Sequence, residues 1–135
     1  MKTLTLLFFA ILFAFSSKAQ EWQTYYEEQG ISIQYRLLEI DDAQLGIHHE
    51  RIVFRYENTT NTEVHLSFNR TMVYSDNQTA KPQEKTFSIT IPANSSIEYN
   101  SSNSKDKTYY IFSKDLKNTI KQSLVKFDLK DITLN

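Results

Sequence analysis

The stretch Ile31-Ser32-Ile33-Gln34-Tyr35-Arg36-Leu37 decides the fold class. Odd positions are apolar and even positions polar. Successive side chains of an extended chain leave on opposite faces, so this period of two gives one face to a core and the other to water. Gly30, just before the run, suits a turn. After Leu37 the phase changes, and Leu38 and Ile40 carry the apolar face. A β-bulge at Leu37-Leu38 would absorb such a slip.

Working outward, the same period recurs. Ile52, Phe54 and Tyr56 point one way, and Arg51 and Arg55 the other with Val53 between them. Asn58 to Thr62 is a run of turn formers, after which Val64, Leu66 and Phe68 alternate with His65, Ser67 and Asn69, as in a hairpin. Met72, Val73 and Tyr74 extend its second arm. Ser75 to Lys85 reads as a polar loop containing Pro82. Phe87, Ile89 and Ile91 form a strand closed by Pro92-Ala93-Asn94, and Ile97 and Tyr99 a short edge. Asn100 to Thr108, the most polar stretch, is expected to be a mobile loop. Tyr109-Tyr110-Ile111-Phe112 reads as a strand buried on both faces. Ser113 to Gln122 fits a loop, or one or two helical turns carrying Leu116 and Ile120. Val125, Phe127 and Leu129 form a last strand, with Ile132 and Leu134 following a second change of phase.

The fold class is therefore all-β: an antiparallel two-sheet immunoglobulin-like sandwich of seven to eight strands, with a small closed barrel as the alternative. The expected core is Ile33, Tyr35, Leu37, Ile52, Phe54, Tyr56, Val64, Leu66, Phe68, Phe87, Ile89, Ile91, Tyr110, Phe112, Phe127 and Leu129.

Residues 1–19 read as a secretory signal peptide: Lys2, then the apolar run Leu6 to Phe15, then Ser17-Lys18-Ala19 before Gln20. Ten apolar residues fall short of the roughly 20 that a spanning helix needs, so no stable membrane insertion is expected after cleavage. Residues 20–135 then form a single domain, secreted or periplasmic. Losing Lys2 and Lys18 moves the formal charge from −1 to −3. That balance argues against nucleic acid, whose phosphates require a clustered basic surface. The chain has no Cys, which excludes disulfides, thiolate metal sites and cysteine nucleophiles. With only 2 Gly it has no glycine-rich phosphate loop.

In outline, Tyr56-Glu57-Asn58-Thr59-Thr60, Val64-His65-Leu66-Ser67-Phe68 and Phe87-Ser88-Ile89-Thr90-Ile91-Pro92-Ala93-Asn94-Ser95-Ser96 resemble small exported bacterial β-sandwich proteins of immunoglobulin-like kind. That group has no assigned activity. The resemblance implies a fold and transfers no functional residue.

Residues with chemistry are sparse. His48 and His49 are adjacent in a strand, point to opposite faces and cannot share a metal. Glu39, Asp41 and Asp42 match no complete calcium loop. Ser-x-x-Lys occurs at Ser102–Lys105, Ser104–Lys107 and Ser123–Lys126, without a rigid frame around the first two. No catalytic residue, metal site or cofactor is assigned. Asn58, Asn69, Asn77, Asn94 and Asn100 begin N-x-S/T triplets, the acceptor pattern for glycosylation in a eukaryotic host. Aromatic residues are the more informative class. Trp22, Tyr25 and Tyr109 lie beside polar segments and are the candidate ligand-binding residues, since a ring offers a flat apolar face at little rotamer cost. The alternative is that Trp22 and Tyr26 cap one end of the core.

The expected function is a non-catalytic exported binding module for an envelope protein or a glycan. A small secreted enzyme or enzyme inhibitor is one alternative, and a structural subunit of an envelope oligomer is another.

Overall fold

Alternation with a period of two produces eight strands: β1 (Gln23–Glu28), β2 (Ile31–Asp42), β3 (Ile47–Asn58), β4 (Val64–Ser75), β5 (Gln83–Ile91), β6 (Ser95–Glu98), β7 (Tyr110–Asp115) and β8 (Ser123–Leu134). The computed structural model describes residues 21–42, 44, 46–75, 83–116 and 123–135. The leader, the segment holding Asn77 and Pro82, and the stretch around Ile120 lie outside the described residues. Among the described residues there is no helix.

All pairings are antiparallel. One sheet runs β1-β2-β3-β6, with β7 also pairing β3; the other runs β5-β4-β8. The β1–β2 connection is a two-residue hairpin turn in which Gln29 and Gly30 both have positive φ, 53° and 77°, as a type I′ turn requires. A side chain at Gly30 would meet Thr60 Cγ2 at 2.8 Å. The turn needs that close approach because the Gly30 carbonyl accepts hydrogen bonds from Thr59 N and Oγ1, both at 2.9 Å.

β6 and β7 are one strand interrupted. β6 pairs with Arg55–Asn58 of β3, and β7 with His49–Val53. At the junction, the Phe54 carbonyl accepts from Tyr99 N at 3.1 Å while its N–H donates to Tyr109 O at 2.9 Å. Residues 100–108 leave the sheet beside Phe54 and return to it beside the same residue. Contrary to the expectation of mobility, this excursion is built from its own hydrogen bonds. Asn100 Oδ1 accepts from Ser102 N at 2.8 Å, Asn103 Oδ1 accepts from Asn100 N at 2.7 Å, and Asp106 N donates to Asn103 O at 2.9 Å. Short Asn, Ser and Asp side chains do here what sheet partners do elsewhere.

The core lies between the sheets: Ile31, Ile33, Ile52, Phe54 and Tyr56 from one, Leu66, Phe68, Phe87, Ile91 and Leu129 from the other, with Ile111 of β7. Rings run through it in sequence, from Tyr25 to Phe127 (5.6 Å between centroids), Phe127 to Phe54 (5.7 Å), then Tyr56 to Phe68 (6.2 Å) and Phe68 to Phe87 (5.8 Å).

Several expectations need correction. No bulge occurs at Leu37-Leu38, because β2 and β3 stay in register from Ile31↔Asn58 to Asp42↔Ile47. The change of phase has another cause. Leu37 keeps its inward direction but reaches the end of the interior, where it is 36% exposed, while Leu38 and Ile40 are half-buried on the opposite face. β7 is not buried on both faces: Ile111 points inward and is 2% exposed, while Tyr110 and Phe112 are half-buried. Val53, on the outer face, is 1% exposed. The second phase change is a bulge, between the pairs Ser67↔Thr133 and Asn69↔Lys130.

Of the four buried polar residues, Ser32, Asn58, Arg70 and Ser113, two are almost wholly shut away from water. Asn58 (1% exposed) donates through Nδ2 to the carbonyls of Thr62, Ile91 and Pro92 and accepts at Oδ1 from Thr60 N and Oγ1. It ties the end of β3 to the end of β5, and its amide is engaged throughout, which removes it as a modification site in the folded chain. Arg70 (2% exposed) lies with its guanidinium 4.1 Å above the Phe87 ring and donates to the Lys107 carbonyl at 2.7 Å. Its Nε has no partner, and burial pushes its pKa down.

Candidate functional site

Strand alternation sends Ser32, Gln34, Arg36, Leu38 and Ile40 of β2 and Glu57, Arg55, Val53, Arg51 and His49 of β3 to the outer face of the larger sheet. An antiparallel sheet with one wet face ordinarily carries solvated polar groups there. This face instead carries arginines held against rings. Arg36 and Arg55 both lie over Trp22, with guanidinium carbons 4.5 and 4.9 Å from the ring centroid. Arg51 lies 4.0 Å over Tyr110 and 6.0 Å from the centre of Tyr99. These are cation–π distances.

Hydrogen bonds fix the same side chains. Arg55 donates to Gln34 Oε1 from Nε at 2.7 Å and also from a terminal nitrogen. Arg51 donates from Nε to His49 Nε2 at 3.0 Å, and from a terminal nitrogen to Tyr99 Oη at 3.0 Å and the Ser104 carbonyl at 2.9 Å. His49 Nε2 is therefore an acceptor, which holds the ring neutral with its proton on Nδ1. Burial, and then the Arg51 charge, lower the His49 pKa, partly offset by Asp115. Among the described residues no carboxylate lies within 4.0 Å of Arg36, Arg51, Arg55 or Arg70; the charge contacts found there are His48–Glu39 at 3.3 Å and His65–Glu63 at 3.7 Å.

Beside this layer lies an open cleft of about 370 Å³, lined by Arg55, Glu57, Asn58, Thr59, Asn94, Ser95 and Ser96. The β3–β6 pairing builds it, with Glu57 opposite Ser96 and Asn58 opposite Ser95. The Asn58 clip fixes its floor. Asn94 has a φ of 50°, and its N–H donates to the Thr60 carbonyl at 2.9 Å. Arg55 belongs both to the cleft and to the Trp22 cluster, so the two are continuous.

The three aromatic residues singled out from the sequence are placed differently. Trp22 is half-buried on this outer face. Tyr25 is the extra residue of a bulge between Thr24 and Tyr26. Its ring stacks on Phe127, and its hydroxyl accepts from Leu129 N at 2.9 Å. Tyr109 packs edge-on against Tyr56, 6.0 Å between centroids. Tyr25, Tyr26 and Tyr109 thus pack against the core and are not brought together with Trp22. The arginines around Trp22 were not among the candidates. Their signal was present in the alternation Arg51-x-Val53-x-Arg55, opposite in phase to Ile52, Phe54 and Tyr56. What was missing was the strand that would bring Trp22 over them.

His48 lies against Glu39 and His49 against Phe112 and Arg51, on opposite faces of β3. Among the described residues no group of three or more His, Asp or Glu converges on a point that could hold a metal. No protein-family model, curated protein or solved structure matches this chain. Function is therefore read from the chemistry of this face.

Proposed function

We propose that the protein is an exported, non-catalytic binding module on an immunoglobulin-like sandwich, which holds an envelope protein or a glycan on the outer face of its larger sheet. The observation that carries this is the layer of Trp22, Arg36, Arg51 and Arg55, without carboxylate partners among the described residues, beside the polar cleft at Asn94–Ser96. Guanidinium groups, amides, hydroxyls and rings hold a ligand by hydrogen bonds and stacking. Arginine does not exchange its proton near neutral pH, so this set is suited to recognition rather than proton transfer.

Connectivity supports the immunoglobulin-like part of the reading. β3 pairs with β6–β7 in one sheet and β4 with β8 in the other, and the chain crosses between sheets from β3 to β4, from β5 to β6 and from β7 to β8, so that β3–β4 and β7–β8 are two pairs of the same kind. Two such interlocked pairs are the heart of that sandwich class. Export rests on the apolar run Leu6 to Phe15, and a secreted or periplasmic product beginning at Gln20 is its test by mass spectrometry. For the binding face, capture from the envelope fraction is compared between the native chain and an Arg51→Ala, Arg55→Ala variant. A partner lost with the variant supports the reading, and equal capture by both overturns it.

A second reading, a subunit of an envelope oligomer, is favoured by β5. Among the described residues β5 pairs only with β4, in unbroken register, and its last six residues, Thr86 to Ile91, carry no charge. The other edges are blunted in the ways that discourage strand addition. β1 is bulged, β8 is bulged twice and carries Lys126, Asp128, Lys130 and Asp131, and the β6–β7 edge is broken by residues 100–108. Sedimentation velocity over rising concentration tests it: a dimer supports the oligomer, and a monomer throughout overturns it.

A further inference from the structure

Among the described residues, the outer face holds one buried donor without a partner, on Arg36. Arg36 is half-buried against Trp22, and its Nε is shut away from water with no partner. Arg55 reaches the same indole ring. From the two ring distances, 4.5 and 4.9 Å, the guanidinium carbons are no more than about 9.4 Å apart. Like charges at this separation repel, and no described carboxylate offsets them within 4.0 Å. Glu98 is opposite Arg55 in the β3–β6 ladder and Glu57 is two residues along β3, yet neither forms an ion pair with it. One anion accepting from both guanidinium groups would relieve the repulsion, and planar donor forks suit a carboxylate or a sulfate.

We infer that Trp22, Arg36 and Arg55 form a cradle for the anionic group of an acidic glycan, a uronate carboxylate or a sulfate ester. Neighbouring sugar hydroxyls would lie in the cleft at Thr59, Asn94, Ser95 and Ser96. The inference rests on the outer face being the binding surface and names the class of ligand it takes. The cleft favours a glycan over an acidic peptide. Its lining of Arg, Glu, Asn, Thr and Ser contains no apolar residue to receive a peptide side chain. Its serine and threonine hydroxyls are suited to a polyol, and Glu57 accepts from a hydroxyl.

Trp22 is the only tryptophan of the chain, so its fluorescence reports directly on this site. The full chain is titrated with polygalacturonate, dextran sulfate, unmodified dextran and poly-L-glutamate at low and high salt. The expected result is a Trp22 fluorescence change with polygalacturonate or dextran sulfate, at least tenfold weaker with dextran, and weakened by salt. The two acidic probes separate uronate from sulfate. Arg36→Gln and Arg55→Gln are each expected to weaken binding tenfold or more, with Lys126→Gln and Lys130→Gln on the other sheet unchanged. Circular dichroism of each variant establishes that it folds. Binding that survives both arginine substitutions overturns the cradle, as does a lack of binding to either acidic polysaccharide. Poly-L-glutamate bound as tightly as the polysaccharides overturns the glycan assignment. Dextran bound as tightly as its sulfate and lost in Trp22→Ala overturns the anionic assignment while leaving the outer face as the binding surface.

Discussion

The two faces of β3 make opposite use of the same backbone. Inward, Ile52, Phe54, Tyr56 and Asn58 are 8%, 1%, 0% and 1% exposed. Outward, Arg51 and Arg55 are half-buried, yet they are held by named partners: Tyr110, Tyr99 and Ser104 for one, Gln34 and Trp22 for the other. The inner face is fixed by removal of apolar area from water, which is non-directional and large. The outer face is fixed by directional contacts that each contribute little net stability. Order on the inner face therefore indicates folding. Order on the outer face costs side-chain freedom with a small return in stability, and in the function proposed above it holds those side chains ready for a ligand.

The contrast can be broken at five points, in falling order of effect. Phe54→Ala is expected to cost about 3–5 kcal/mol in a denaturant titration, from lost burial and the cavity left behind. A loss under about 0.5 kcal/mol would show that this ring is not core. Asn58→Ala is expected to cost about 2–3 kcal/mol, because it leaves the Ile91 carbonyl and the Thr60 N–H buried or half-buried without their partner. Asn58→Asp would separate the two halves of the clip, since it keeps the acceptor and removes the donor.

Arg51→Ala is expected to cost about 1 kcal/mol and to speed amide exchange in residues 100–108, whose Ser104 carbonyl it releases. Unchanged exchange would show that the excursion needs no anchor from the sheet. Arg70→Met tests the buried cation on the inward side. It loses the bond to Lys107 but also removes a buried charge that no described carboxylate balances, so stability is expected within about 1 kcal/mol of the native chain or above it. A loss beyond about 2 kcal/mol would mean that the guanidinium is compensated in the interior.

The smallest effect is on pH dependence. The folded chain holds His49 below the ordinary histidine value, so above about pH 6.5 the ring is neutral in both states and its contribution is complete. As pH falls from there toward the lowered folded value, the unfolded chain takes up the proton first and stability declines. Protonation at Nε2 also ends its acceptance from Arg51. His49→Gln should flatten this part of the stability profile between pH 7 and 5, and an unaltered slope would assign it to other groups.

Much of the inner face was legible along the chain. The alternations at Ile31–Leu37, Ile52–Tyr56, Val64–Phe68 and Phe87–Ile91 each appear as strands with those residues facing the core or packed against it. Leu37 misled because a strand can outrun the interior it feeds, and sequence has no measure of where the opposite sheet ends. Asn58 and Arg70 were invisible as interior residues because a polar side chain is buried only where partners from distant strands await it. The candidate site was legible in parts: Trp22 as an aromatic beside polar residues, Arg51 and Arg55 as the outward row of β3.

What the sequence determined by itself is whatever depends on neighbours along the chain: the period of two, the positive-φ turn at Gly30, the Asn/Thr loop after β3. Those follow from local stereochemistry, which a single strand already possesses. Tertiary structure alone decided that β6 and β7 share one edge of β3, that Arg70 lies under the excursion between them, and that Trp22 meets Arg36 and Arg55. Each of these depends on which strands pair and in what register, a choice made by burial of the whole core at once.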